Sequence, residues 1–273
     1  MKTVVWWLAL GLLWPQAPPT ALAESFDLSK SSVPPEEILS GGPPKDGIPA
    51  LTDPAVASAD EATYLRPNDR VLGVVIGAEA RAYPIRILNW HEVVNDQLSG
   101  TPIVVTYCPL CGTGMVFRAG QPGRRVLFGV SGLLYNSDVL LYDKETESLW
   151  SQLKMEAVAG PRLGENLEWL PAQHTTWQAW RTAYPHTDVL SLNTGYDRDY
   201  GRDPYAGYAT NSRLMFPVRH QDSRLAPKAW VAGVLIDGQP NAYPLKRLSS
   251  GRVLEDRIGG QTLHVLYDAN ARS

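Results

Sequence analysis

The feature that most limits what this chain can fold into is a gapless internal repeat. Residues 71–107 (VLGVVIGAEARAYPIRILNWHEVVNDQLSGTPIVVTY) align with residues 231–267 (VAGVLIDGQPNAYPLKRLSSGRVLEDRIGGQTLHVLY) at an offset of 231 − 71 = 160. Gly73, Ala82-Tyr83-Pro84, Leu88, Val93, Asp96, Gly100 and Tyr107 recur as Gly233, Ala242-Tyr243-Pro244, Leu248, Val253, Asp256, Gly260 and Tyr267. Self-similarity of this kind marks two copies of one supersecondary unit. Each copy reads as a strand (Val71 to Ile76), a Gly turn, and a short strand ending at Tyr83-Pro84. A helical turn (Ile85 to Asn89) and a hairpin with arms Val93 to Leu98 and Ile103 to Tyr107 follow, closed at Ser99-Gly100. Two copies separated by a long insert fit a pseudo-symmetric single domain better than a solenoid.

The insert continues the β pattern. Arg125 to Val130, Val139 to Tyr142 and Ser148 to Leu153 read as strands, with Asp143 to Glu147 as a polar turn. Residues 173–184 (QHTTWQAWRTAY) are the clearest helix, with Thr175 or Thr176 as N-cap and Pro185 as its stop. Residues 191–227 lack any period and read as irregular loops, where binding groups often sit. The expected class is α+β, predominantly β: two copies of a hairpin-containing unit (71–107 and 231–267), a β-rich insert and few short helices.

The flanks read differently. Lys2, the apolar run Val4 to Trp14 and Ala21-Leu22-Ala23 have the form of a cleavable secretory signal, residues 1–23. The run is too short for a membrane span, and no later segment approaches ~20 apolar residues. An exported, periplasmic, soluble protein is the expectation. Residues 24–60, rich in Pro, Gly and Ser, read as an extended lead-in to one domain spanning 61–273. Without residues 1–23 the chain has 25 − 1 = 24 basic and 28 acidic residues, a net charge of −4. That balance argues against a nucleic-acid partner.

Chemistry concentrates where the two copies diverge. Cys108 and Cys111, the only cysteines, lie in CPLCG just after the first copy. Pro109 fixes one backbone dihedral and Gly112 supplies the positive φ that a tight loop needs. In the second copy Asp268 and Ala271 stand at the cysteine positions, and Gly251-Arg252 at those of His91-Glu92. What the fold needs, both copies share; what only one carries is the better candidate for function. The hairpin also sets the start of its first arm, His91-Glu92, beside the end of its second, Cys108.

Haem attachment requires C-x-x-C-H and is excluded by Gly112. A thioredoxin-type dithiol sits at a helix N-terminus, whereas GTGMVF reads as turn and strand. A metal knuckle fits the local sequence: Cys108 and Cys111 as thiolate ligands, His91 as imidazole ligand, and Glu92 as fourth ligand or as base on bound water. His174, His186, His220 and His264 stand behind them. The ion would be zinc, copper or iron, and nothing indicates a nucleotide. A reversible thiol–disulfide couple and a structural disulfide in an envelope binding module remain the alternatives.

Other residues invite blander readings. Ser131 in GVSGLL lacks the final Gly of a nucleophile elbow. Asp138, Asp143 and Glu147 read as solvated turn residues, and Trp150, Trp177 and Trp180 as core. Tyr196, Tyr200, Tyr205 and Tyr208 crowd one loop region, where an aromatic groove can form.

Tyr107 to Gly114 (YCPLCGTG), the upstream AYP and NWHEVVND, and FGVSGLLYNSDVLLYDKETESLWSQ (Phe128 to Gln152) together resemble the bacterial and archaeal family called domain of unknown function 3179. The resemblance covers about residues 64–268, and it implies a domain rather than a reaction. Its motif positions fall on His91, Glu92, Asp96, Cys108, Cys111, Asn136, Asp143, Trp150 and Gln152. With Tyr107 they extend the candidate pocket into the 128–152 segment.

Overall fold

The computed structural model describes residues 26–248 and 251–273. The signal segment read at residues 1–23 lies outside the described residues. The chain is mostly β, with two short α-helices among the described residues. None of its helices there is long and apolar enough to cross a membrane.

In chain order, β1 (Ile38–Ser40), β2 (Leu51–Thr52) and β3 (Val56–Ser58) come from the Pro- and Gly-rich lead-in. They are followed by β4 (Arg70–Ile76), β5 (Glu79–Pro84), α1 (Ile85–His91), β6 (Val93–Leu98) and β7 (Thr101–Cys108). The insert supplies β8 (Thr113–Arg118), β9 (Gly120–Gln121), β10 (Arg124–Arg125), β11 (Phe128–Tyr135), β12 (Asp138–Asp143), β13 (Leu149–Ser151) and β14 (Glu156–Ala159). It continues with β15 (Trp169–Leu170), β16 (Ala172–Thr176), α2 (Trp177–Ala183) and β17 (Asp188–Leu190). Last come β18 (Val231–Ile236), β19 (Gln239–Pro244), β20 (Leu254–Ile258) and β21 (Gln261–Val265).

Three five-stranded sheets result, ordered β1-β11-β12-β13-β14, β15-β8-β7-β6-β2 and β16-β4-β5-β17-β3. Each takes one strand from the lead-in, which thereby stitches the sheets together. The β6–β8 sheet is buried on both faces. Ile103, Val105 and Tyr107 face a core shared with Leu72, Val74 and Tyr83 of the β4–β5 sheet. Val104 and Cys108 face a core shared with Phe128, Val139, Leu141 and Trp150 of the β11–β14 sheet. A strand buried on two sides reads as a continuous apolar run rather than an alternating one, which explains Ile103 to Val105. The period of two then aims Cys108 toward the β11–β14 sheet.

The helix expected over 173–184 is shorter. Residues 172–176 pair with β4 instead (His174 opposite Leu72), and the helix begins at Trp177. Edge pairing supplies the backbone partners that the first turn of the longer helix would have used. Thr176 is the N-cap, its hydroxyl accepting from the Ala179 N–H. Trp177 and Trp180 bury against Val71 and Ala82, and Trp180 occupies the space over Gly73, where a Cβ would come within 2.2 Å of the ring.

The hairpin registers of the two repeat segments coincide. Val71 pairs with Pro84 and Ile76 with Glu79; Val231 pairs with Pro244 and Ile236 with Gln239. Val94 opposes Val105 and Leu98 opposes Thr101, as Leu254 opposes Val265 and Ile258 opposes Gln261. The surroundings differ. The first pair of hairpins lies inside five-stranded sheets, whereas β18–β19 and β20–β21 are two-stranded ribbons with exposed apolar side chains such as Leu235 and Leu254.

Candidate functional site

Two turns from different sheets meet at the cysteines. The first joins β7 to β8. Its Gly112 takes φ +67°, the Gly112 N–H closes on the Cys108 carbonyl at 2.8 Å, and the Cys111 N–H points at Cys108 Sγ, 3.4 Å away. The second joins β11 to β12 through Asn136 and Ser137, both at positive φ (+52° and +64°). Two consecutive residues of that kind match the right-handed twist of a two-residue hairpin, and Asn tolerates the conformation. This turn delivers Asp138 at the first position of β12.

Cys108 Sγ, Cys111 Sγ and an Asp138 carboxylate oxygen all lie within 4.8 Å of one another. Cys111 Sγ is 3.6 Å from Asp138 Oδ1. The other carboxylate oxygen, Oδ2, accepts from the Leu153 N–H (3.0 Å) and the Ser151 hydroxyl (3.3 Å). Such outer bonds fix a carboxylate's orientation and leave one oxygen for a ligand. Both cysteines are free, Cys108 buried and Cys111 exposed. Burial, then the neighbouring Cys111 and Asp138, drives the Cys108 thiol well above its ordinary value. Burial also raises Asp138 to about 6.

Asp138 and Asp143 thus overturn the reading of solvated turn residues. Asp138 is 3 % exposed and Asp143 fully buried. Asp143 accepts from the Trp150 indole (2.9 Å) and the Thr146 N–H (2.7 Å), closing the β12–β13 turn. Glu147 alone of the three is solvated.

His91 and Glu92 end α1 on the neighbouring arm, and the structure does not gather them with the sulfurs. Both His91 ring nitrogens are engaged: Nδ1 lies 2.7 Å from the Pro49 carbonyl and Nε2 2.6 Å from the Tyr200 hydroxyl. Those partners make Nδ1 the protonated nitrogen and leave Nε2 to accept from the tyrosine. Glu92 sits in a rare conformation for a non-glycine residue, φ +57° and ψ −32°. Its carboxyl accepts from the Tyr205 hydroxyl at 3.1 Å, and burial pushes it up to about 7.

The remaining expected residues fall into two groups. Asp96 accepts from Arg81 (2.8 Å) and Tyr83 (2.7 Å), well inside the scaffold. Asp256 repeats the tyrosine bond with Tyr243 at 2.8 Å. Trp150 packs edge-on against Phe128, and Ser131 is a buried bulge residue whose hydroxyl bonds the Leu140 carbonyl. Gln152 lies nearer the cysteine turn. Its amide donates to Thr106 Oγ1 (2.8 Å) and the Thr113 carbonyl (3.2 Å), while its buried Oε1 has no partner. Tyr107 and Asn136 line the cleft onto which Cys111 opens, a space of about 1240 Å³.

The cleft also holds residues that the sequence did not mark. Arg70, Lys228, Trp230 and Arg272 line it. The signal existed for one pair: Arg70 and Trp230 stand 160 apart, one residue before each repeat, and the guanidinium lies 5.5 Å from the indole centroid. His174 projects from β16, its Nε2 accepting from the Gly114 N–H at 2.9 Å. Burial lowers His174 to about 4, so it is neutral at ordinary pH.

No curated protein and no solved structure matches this chain. The cysteine turn, the Asn136-Ser137 turn and the paired hairpins all fall within residues 45–273, which match one family profile from end to end. The chain therefore belongs to the family described as "Protein of unknown function (DUF3179)".

Proposed function

We propose that this protein is an exported metal-binding protein whose centre is Cys108, Cys111 and Asp138. The observation that carries the reading is the convergence of two thiols and a carboxylate oxygen within 4.8 Å, on turns from two sheets. Three potential anions so close together form an unfavourable cluster alone; a divalent cation reverses that balance. Two thiolates and one carboxylate suit a borderline-soft ion, and zinc fits best. Three protein ligands leave a tetrahedral ion one position for water or substrate, and Cys111 is the ligand that borders the cleft.

His91 and Glu92 are not proposed as ligands: both His91 ring nitrogens are taken by Pro49 and Tyr200, and the Glu92 carboxyl bonds Tyr205. Glu92 bonds Tyr205, whose hydroxyl is held well above its ordinary value by burial first and then by Glu92 and Cys108. That tyrosine is the link by which Glu92 would act on the centre. We also infer that 71–107 and 231–267 are two copies of one unit. Identical registers and the repeated Tyr–Asp bond support this.

The test is metal content and free thiols measured together on protein matured in an oxidising compartment. One equivalent of metal and two titratable thiols after chelation are expected, with stoichiometric binding lost in Cys108→Ser. Asp138→Asn is expected to weaken affinity about 10- to 100-fold. A metal-free protein with a Cys108–Cys111 disulfide would overturn the reading in favour of a redox or structural pair.

A further inference from the structure

The cleft beside the cysteine turn concentrates positive charge in a chain whose net charge is −3. Arg70, Lys228 and Arg272 line it; among the described residues the one acidic side chain on its wall, Asp222, is paired with Arg224. None of the three cations forms an ion pair among the described residues. Lys228 donates to neutral acceptors, the Tyr208 carbonyl at 2.6 Å and Asn211 Oδ1 at 3.2 Å. Arg70 is bound only face-on to Trp230, and its buried Nε has no partner.

Burial weakens the hold of the Arg70 guanidinium on its proton, and the charge of Arg272 on the same wall adds to that. Two guanidiniums that line one cleft without an ion-pair partner favour an anion there, because their planar donors match a carboxylate or phosphate bidentately. His174 adds no competing charge. The rest of the wall is largely apolar, with Leu110, Leu214, Val218 and Leu225 beside Trp230. A space of about 1240 Å³ exceeds what an inorganic anion needs and suits a whole organic molecule.

We propose that this cleft binds a small organic anion with an apolar body, its charged head at Arg70 and Arg272 and its body along the Leu214–Trp230 wall. The inference goes beyond the metal reading and does not depend on it. An anion held there would have its body or tail near Cys111, so an ion on the cysteines would meet this ligand class.

The test is calorimetric titration of the full mature chain, metal-loaded and metal-stripped, with octanoate, octyl phosphate, 1-octanol and inorganic phosphate. Octanoate or octyl phosphate is expected to bind in both forms, at least tenfold more tightly than 1-octanol or inorganic phosphate; which of the two is tighter identifies the head group. Arg70→Met removes the guanidinium but keeps an unbranched apolar stem, and is expected to weaken the anion about tenfold without changing 1-octanol. Arg272→Gln, at an exposed position near the chain end, gives the same expectation with little risk to folding. Equal affinity for octanol and octanoate, or no effect of either substitution, overturns the proposal. Binding only to the loaded protein, insensitive to both arginines, places the anion on the ion instead, so this inference falls while the metal reading stands. Arginine-dependent binding to a protein that takes up no metal has the opposite meaning.

Discussion

Replacing Glu92 by Gln tests whether burial governs the carboxyl beside the site. Glutamine keeps an oxygen to accept the Tyr205 hydroxyl but cannot ionise. Burial raises the Glu92 carboxyl from 4.5 to about 7, against a smaller opposing effect of the Tyr205 bond. A raised carboxyl binds its proton more tightly in the folded state. Its contribution to stability is therefore complete below pH 4.5 and is lost as pH rises through about 7. At ~1.4 kcal/mol per pH interval, the folded protein forfeits about 3 kcal/mol between pH 4.5 and 8 from this one group. Asp138 follows the same sign, but it is common to both proteins and cancels in their difference. Urea unfolding followed by tryptophan fluorescence, at several pH values with chelator present, measures it. The Glu92→Gln protein is expected to gain about 3 kcal/mol on wild type between pH 4.5 and 8. Parallel stability–pH curves would show that the folded protein solvates Glu92, and the argument from burial would fail.

Backbone space gives a paired expectation. Gly73→Ala drives a Cβ into the Trp180 ring, 2.2 Å away, and should cost about 2–3 kcal/mol in urea unfolding. Gly233→Ala, at the equivalent position with nothing within 4 Å, should change stability little; equal effects would refute the account. Thr176→Ala removes the cap on α2 and should cost about 1 kcal/mol, largely restored by Thr176→Ser. A serine variant no more stable than the alanine variant would show that the methyl group, not the hydroxyl, matters.

Local patterns carried much of the architecture. The hairpin arms 93–98 and 103–107, the strand around Val139 to Tyr142, the Thr176 cap and the burial of Trp150, Trp177 and Trp180 all follow from periodicity and turn chemistry. Residues 173–176, the start of the stretch read as helix, pair with β4 instead, a contact across about 100 residues of sequence that is invisible to a local window. The strand expected at Arg125 to Val130 starts at Phe128 and runs to Tyr135 through an irregularity between Val130 and Leu133, which the Gly-Val-Ser-Gly spacing hides. At the site, the cysteine turn was legible and Asp138 was not. Asn-Ser-Asp has the composition of a solvated turn; only the packing of one sheet on another buries it against the sulfurs. His91 matched a ligand by chain proximity, yet Tyr200 and Pro49, both distant in sequence, claim its ring.

The two turns that meet at the cysteines come from different sheets, and that has a mechanical meaning. An ion held by Cys108 and Asp138 would rivet the β6–β8 sheet to the β11–β14 sheet, closing a loop of 138 − 108 = 30 residues. Closing a loop of about that length removes roughly 3–4 kcal/mol of chain entropy from the unfolded state, a sizeable fraction of a domain's whole stability. The seam between sheets would then weaken whenever the ion is scarce, and the weakened seam is the first place a protease finds purchase. Wherever supply swings between metal plenty and metal starvation, the lifetime of the protein would itself report it.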